Sequence, residues 1–264
     1  MPLIKSNNYS DWDDWWKQAG HYKDYPSIAW DLMDGDKEDY LLNRTGNKRG
    51  LLLEVGCGAA RLSARLAASG FTTVCLDSSK AALELAKKTY SEHSQPWRFG
   101  ITADAYHLPY NDDVFDGVLS TGLLEHFQDP APLIKEMVRV VKPGGFVYAD
   151  ILPQKKWRLL LLFDFLRPLL GRYTDPLFEM PFSRNDIMQF AADSGLKEVE
   201  VFPAGIYWPR WSVLRNNRFL IGLENAASRF THPLFRKLDG TVLAEVFGIY
   251  YFMFGRKQSI ICVK

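Results

Sequence analysis

Cysteine is scarce here: Cys57, Cys75 and Cys262 are the three thiols in 264 residues. Their spacing matches no metal framework, and an odd number suits a reducing compartment better than a disulfide scaffold. Each lies in an apolar, strand-like context, so burial is expected for all three. No apolar run reaches the length of a membrane span, and no basic segment followed by an apolar one opens the chain. A cytoplasmic location is the expectation. Excess charge is missing too, since 32 basic and 31 acidic side chains nearly cancel. That removes the general drive toward nucleic acid. The charge is nevertheless uneven, with 16 basic against 21 acidic residues in 1–150 and 16 against 10 in 151–264. A basic C-terminal third can meet an anionic substrate or a lipid headgroup surface; a solvated face explains it equally.

What is present is enough apolar material, 47% of residues, for one large α/β domain with a full core and a cap. The organising stretch is Glu54-Val55-Gly56-Cys57-Gly58-Ala59-Ala60-Arg61. Leu51 to Leu53 and Val55 form a short apolar run that ends in Gly-x-Gly, the pattern of a buried parallel strand turning sharply into a helix. Glycine tolerates positive φ and lets a ligand lie almost against the backbone, with the N–H groups of the next helix facing it. A dinucleotide site would place Gly or Ala three residues after Gly58, where this chain has Arg61.

Further acids follow at regular intervals. Arg61 to Ser69 reads as a helix closed by Gly70, and Thr72 to Leu76 as a second strand ending at Asp77. An acid there is placed to accept hydrogen bonds from a ribose diol, and both nicotinamide and other nucleoside sites use it. Ser78 and Ser79 are expected to cap a helix over Lys80–Tyr90. Trp97 to Ala103 reads as a third strand followed by Asp104-Ala105, and Leu108 to Asp116 as a turn-rich connector into a fourth strand, Gly117–Ser120. Thr121-Gly122-Leu123-Leu124-Glu125-His126 lies at that strand's carboxyl end, where open α/β sheets bind ligands. Asp129-Pro130 opens a helix over Pro132–Val141. Lys142-Pro143-Gly144-Gly145 reads as the turn to a fifth strand, Phe146–Asp150.

Glu-x-Gly-x-Gly-x-Ala, then Asp77, Asp104, the Leu108-Pro109-Tyr110…Phe115-Asp116 segment and the Val-Lys-Pro-Gly-Gly turn resemble class I S-adenosylmethionine (SAM)-dependent methyltransferases. The likeness is greatest to the ubiquinone/menaquinone-biosynthesis type, and it is specific from about Leu51 to Asp150. It implies a Rossmann-like α/β fold: a seven-stranded sheet of order 3-2-1-4-5-7-6 with the last strand antiparallel, helices on both faces and a helical cap. It also implies SAM as cofactor and S-adenosylhomocysteine as product. The cofactor-binding residues carried over are Glu54, Gly56, Cys57, Gly58, Asp77, Ser78, Asp104, Ala105, Thr121 and Gly122. Glu54 would orient the methionine ammonium, Asp104 the adenine amino group, and Ala105 would supply a backbone N–H to the ring. Ala60 stands where the family has a third glycine, which adds one methyl group where helix and strand pack. His126 is the candidate general base, with an imidazole that titrates near neutral pH. No metal is implied.

Outside that core the reading is coarser. Residues 1–48 are aromatic and acidic, with Trp12, Trp15 and Trp16 on one helical face. They read as a helical lid over residues 49–264, with His21 and Tyr22 in its connecting loop, or as a helix packed on the main domain. Ser183 caps a helix to Ser194, Val199–Phe202 reads as the sixth strand, and Ser259–Val263 as the last. Two insertions, about 152–182 and 203–258, are expected to wall an apolar acceptor pocket with basic groups near its mouth. A homodimer interface, a plain helical cover, or peripheral membrane contact through 155–172 are the competing uses. The expected activity is methyl transfer from SAM to a small hydrophobic or lipid-like acceptor that can carry an anionic group, by O- or C-methylation. A SAM-binding protein without transferase activity is the alternative, and a nicotinamide oxidoreductase is disfavoured by Arg61 and Asp104.

Overall fold

The computed structural model describes residues 9–19, 28–46, 48–153, 180–207 and 218–259. Its centre is a seven-stranded sheet. The strands in chain order are β1 (Leu51–Val55), β2 (Thr72–Asp77), β3 (Gly100–Thr102), β4 (Phe115–Thr121), β5 (Val141–Ile151), β6 (Leu196–Ala204) and β7 (Tyr250–Lys257). They lie in the order β3-β2-β1-β4-β5-β7-β6. β1 to β5 pair in parallel, while β7 runs antiparallel to both of its neighbours, β5 and β6.

Alternation along the strands feeds two cores. Leu53, Val55, Val118 and Val147 face α5 (Ala131–Val140) and α6 (Arg184–Asp193). Leu52, Leu119, Phe146 and Tyr148 face α2 (Ala29–Thr45) and α3 (Arg61–Ala68). Helix α4 (Lys80–Glu92) closes a smaller cluster with α3 around Cys57, Cys75 and Tyr90. Both of these cysteines are buried; Cys262 lies outside the described residues. A capping box between Ser183 and Asp186 starts α6, with the Ser183 hydroxyl accepting from Asp186 N–H and the Asp186 carboxylate from Ser183 N–H.

Several boundaries differ from the sequence reading. Of the expected last strand, Ser259–Val263, residues 260–263 lie outside the described residues, and the strand between β5 and β6 is Tyr250–Lys257. Its run Tyr251-Phe252-Met253-Phe254 is buried on both faces between β5 and β6, so it shows no alternation and resembles cap material. Residues 250–257 therefore leave the second insertion and join the sheet. Lys142–Gly145 belongs to the start of β5 rather than a separate turn, with a register shift against β4 between Phe115 and Gly117. β3 keeps only Gly100–Thr102 of the stretch from Trp97 to Ala103.

Candidate functional site

The carboxyl ends of β1, β2, β3 and β4 meet at one edge, and the glycine turn sits at their middle. Gly56 (φ +65°) and Gly58 (φ +51°) are both left-handed, which glycine adopts without strain. A Cβ on Gly56 would stand 2.7 Å from Leu123 Cδ1, and one on Gly58 2.5 Å from the Trp16 ring. The turn is thus a cradle with no room for a side chain, pressed by one residue from the β4 loop and one from α1 (Tyr9–Ala19). Ala60 is left-handed as well (φ +52°) and fully buried. Its departure from glycine therefore costs backbone strain, of roughly 1–2 kcal/mol, and not merely packing space.

Glu54 lies beneath this turn. One carboxylate oxygen accepts from the Thr121 hydroxyl at 2.9 Å and the other from Ser63 N–H at 3.2 Å. Ser63 is the third residue of α3, whose N-cap Ala60 has no side chain to offer, so Glu54 does the capping from the strand below. Burial pushes its pKa up to about 7, against the pull of the bonds to Ser63 and Thr121.

Asp77, at the end of β2, is buried and accepts from Gly58 N–H and Ser79 N–H, each at 2.8 Å. Burial also raises its pKa. Each oxygen keeps a second lone pair, so the carboxylate can still accept from a diol. Ser79, not Ser78, caps α4 by accepting from Ala82 N–H. Asp104 is the open member of the set, with its side chain 60% exposed and one oxygen accepting from Tyr106 N–H at 2.9 Å. Ala105 beside it is half-buried. Three acids therefore follow one another at the ends of β1, β2 and β3, two of them buried and the third exposed, its other oxygen 3.2 Å from His107 Nδ1.

At β4, Gly122 N–H donates to Asp150 Oδ1 at 2.7 Å. His126 ends a short 3₁₀ turn, Leu124–His126, and is buried with its ring edge-on to Trp12, centroids 4.8 Å apart.

Helix α1 lies across this edge. Besides the Trp16 and Trp12 contacts, Asp13 Oδ1 accepts from the Ser79 hydroxyl at 2.8 Å and from Ala81 N–H at 3.0 Å. These bonds, with Ala81 foremost, then Lys17 and Ser79, hold the Asp13 carboxyl well below the usual carboxylate range. The tryptophan face expected from sequence is the face turned to the glycine turn. His21 and Tyr22, and all of 155–172, lie outside the described residues.

Sequence reasoning missed Asp13, Asp150 and a set of charges on α2. Lys37 Nζ lies 2.6 Å from Asp150 Oδ2, both buried, and 4.7 Å from the centre of the Tyr250 ring. Burial works against the Lys37 charge, yet Asp150, Tyr250 and Asp34 outweigh it and hold its pKa above the usual lysine range. Asp34 pairs with Arg61 at 3.1 Å, beside the glycine turn. The signal for Asp150 was its place at the end of β5; α2 gave none, because Asp34-Gly35-Asp36-Lys37-Glu38-Asp39 reads as a solvated face.

A glycine cradle at the carboxyl edge of a 3-2-1-4-5-7-6 sheet, bordered by acids on the first three strands, defines the class of SAM-dependent methyltransferase domains. Residues 53–149 match the family model described as a methyltransferase domain. A ubiquinone biosynthesis O-methyltransferase of Thiobacillus denitrificans is 28% identical over 167 residues, which is 62% of this chain and 71% of that protein. One from Vibrio vulnificus is 30% identical over 139 residues, 52% of this chain and 57% of that protein. The chain spans less than two thirds of the length of several such relatives, 57–59%. Among solved structures, magnesium protoporphyrin IX methyltransferase from Synechocystis, with bound S-adenosylhomocysteine, superposes with a TM-score of 0.57. It is 14% identical, and the match covers 88% of this chain and 84% of that one, a likeness of fold. No helix among the described residues is long and apolar enough to cross a membrane.

Proposed function

We propose that this protein methylates a hydroxyl group on a small, hydrophobic aromatic acceptor, with SAM as the methyl donor. The observation that carries the reading is the row of Glu54, Asp77 and Asp104 around a left-handed glycine turn that no side chain can enter. In this reading Gly56, Cys57 and Gly58 lie along the cofactor, and Glu54 with Thr121 and Gly122 borders its methionine end. Asp77 and Ser78 receive the ribose, and Asp104 and Ala105 receive the adenine. Bound SAM supplies a methyl group on a positively charged sulfur and leaves as S-adenosylhomocysteine.

The remaining work falls to the chain. His126, against Trp12, accepts the proton of the acceptor's hydroxyl. Trp12 and Trp16 exclude water over the reacting groups, and holding donor and acceptor in line supplies much of the acceleration. Within residues 1–48, helix α1 acts as the lid over the domain spanning 49–264, to which α2 is tied by its ion pairs, and the segments after β5 and β6 wall the acceptor. The relatives' activity, O-methylation in ubiquinone biosynthesis, supports an acceptor with a phenol-type hydroxyl.

Titration calorimetry with SAM and S-adenosylhomocysteine tests the cofactor half. Micromolar binding is expected, weakened at least about tenfold in Asp104→Ala, whose exposed side chain can be removed without opening the core. Methyl transfer to phenols of increasing apolar chain length tests the acceptor half, with His126→Gln expected to lower kcat about 100-fold while leaving SAM affinity intact. Binding without transfer to any acceptor would favour a SAM-binding protein that is not a transferase. No binding at all would sink the proposal.

A further inference from the structure

Helix α7 (Arg218–Arg236) is amphipathic in the inverted sense. Its inward side is mostly polar: beside Ile221, Glu224 and Ser228 are buried, Asn225 Oδ1 accepts from Ile28 N–H at 3.1 Å, and His232 Nε2 lies 2.9 Å from Asp36 Oδ2. Its outward side is apolar, with Phe219 73%, Leu223 54%, Phe230 78% and Leu234 54% exposed. Positions 219, 223, 230 and 234 recur at helical spacing, so these side chains form one stripe along the helix. The next helix in the chain, α8 (Val242–Phe247), also exposes apolar side chains, Val242 79% and Phe247 50%. Large apolar side chains scattered singly on a surface are ordinary, but a contiguous stripe is the mark of a covered face.

The charges on this surface point to one kind of cover. Arg229 and Lys237 are exposed beside the stripe, whereas Glu224, the sole acid in the sequence of α7, is turned inward and buried; on α8 the exposed Glu245 is engaged by the Tyr251 hydroxyl, which donates to it. An apolar stripe containing phenylalanines and flanked by cations is the composition of a helix lying in the plane of a bilayer surface. The buried polar side and the ion pairs of Arg236 with Asp36 and Asp39 fix α7 to α2, so the stripe is held outward rather than free to turn in.

We propose that the α7–α8 face docks this protein on an anionic lipid surface. The inference is independent of the acceptor proposed above: it concerns where the protein sits and holds whatever group is methylated. Flotation of the full chain with phosphatidylcholine vesicles, with and without a phosphatidylglycerol fraction, tests it. The wild type is expected to float with the anionic vesicles and much less with neutral ones. Phe230→Glu/Leu234→Glu should lower that partitioning at least about tenfold, since two apolar side chains leave the interface. Arg229→Glu/Lys237→Glu should abolish the preference for anionic vesicles, and its unchanged SAM affinity would show that the fold is intact. Three results would overturn the proposal. One is failure of the wild type to float. Another is a dimer in sedimentation that Phe230→Glu/Leu234→Glu dissolves, which would make a second copy the cover. The last is a large fall in Tm in that variant without loss of flotation, which would mean that the chain itself covers the stripe.

Discussion

The two N-terminal helices touch the same domain in opposite ways. Helix α1 meets the ends of the strands: Trp16 rests on Gly58, Trp12 on His126, and Asp13 on the start of α4. Apart from Asp13, its contacts are aromatic edges. Helix α2 meets the face of the sheet and is locked by ion pairs: Asp34 to Arg61, Lys37 to Asp150, Glu38 to Arg65, Asp36 to Arg236. Buried charges cannot be exposed singly without a large penalty, whereas an aromatic surface over a loop can lift and return. By its contacts α2 is tied to the sheet, and the weaker hold on α1 is what the proposal of a lid rests on.

The largest expected effect lies on the locked side. Lys37→Met leaves Asp150 buried without its cation, and breaking such a pair typically costs about 3–5 kcal/mol. Denaturant unfolding should show that loss, and Lys37→Met/Asp150→Leu should recover a large part of it, because no lone charge remains. Gly122 loses its acceptor in the double variant, so recovery stays incomplete. A double variant no better than the single would show that the pair does not act as a unit and would dissolve the distinction between the helices.

Glu54 lies between the two regions, under the turn on which α1 rests, and gives the next largest effect. Its folded pKa, about 7, stands above its ordinary 4.5. The folded state therefore binds more protons than the unfolded state in that interval, and the stability from this group is present below pH 4.5 and lost as pH rises through 7. The full window corresponds to roughly 3 kcal/mol as an upper bound. Glu54→Gln keeps an acceptor for Ser63 N–H and cannot ionise. Its Tm relative to wild type should therefore rise between pH 5 and pH 8; a constant difference would place the Glu54 carboxyl back in its ordinary range.

How legible these regions were follows from the range of their interactions. From Leu51 to Asp150, buried parallel strands write themselves as apolar runs, and the turn at Gly56–Gly58 needs a residue without Cβ, so the sheet and its edge could be read locally. The capping of α3 by Glu54 could not, because a vacant cap at Ala60 is visible only once β1 lies under it. On α2 the partners come from Arg61, Asp150, Glu200 and Arg236, and no local pattern separates acids that find cations from acids that find water. β7 escaped the sequence reading for a related reason: burial on both faces erases the alternation that marks a strand. In α7 the periodicity shows two faces but not which one turns inward.

The smallest effect on stability belongs to Asp13, and it tests whether α1 lifts by itself. Asp13 caps Ala81 N–H from outside while Ser79 caps Ala82 N–H from within, so α4 keeps one cap when Asp13→Ala removes the other. Loss of a cap costs about 1 kcal/mol, and here that cost falls on α1 rather than on the whole fold. The folded pKa of Asp13 is lowered, so the latch is present at neutral pH and is released only as the carboxyl is protonated in acid, below its ordinary range. At neutral pH, Asp13→Ala should speed amide exchange in residues 9–19 by about fivefold and leave exchange in β1, β4 and α2 unchanged. Exchange that quickens across α2 as well would make the two helices one cooperative unit. Exchange unchanged in both would leave the tryptophans as the only hold on α1.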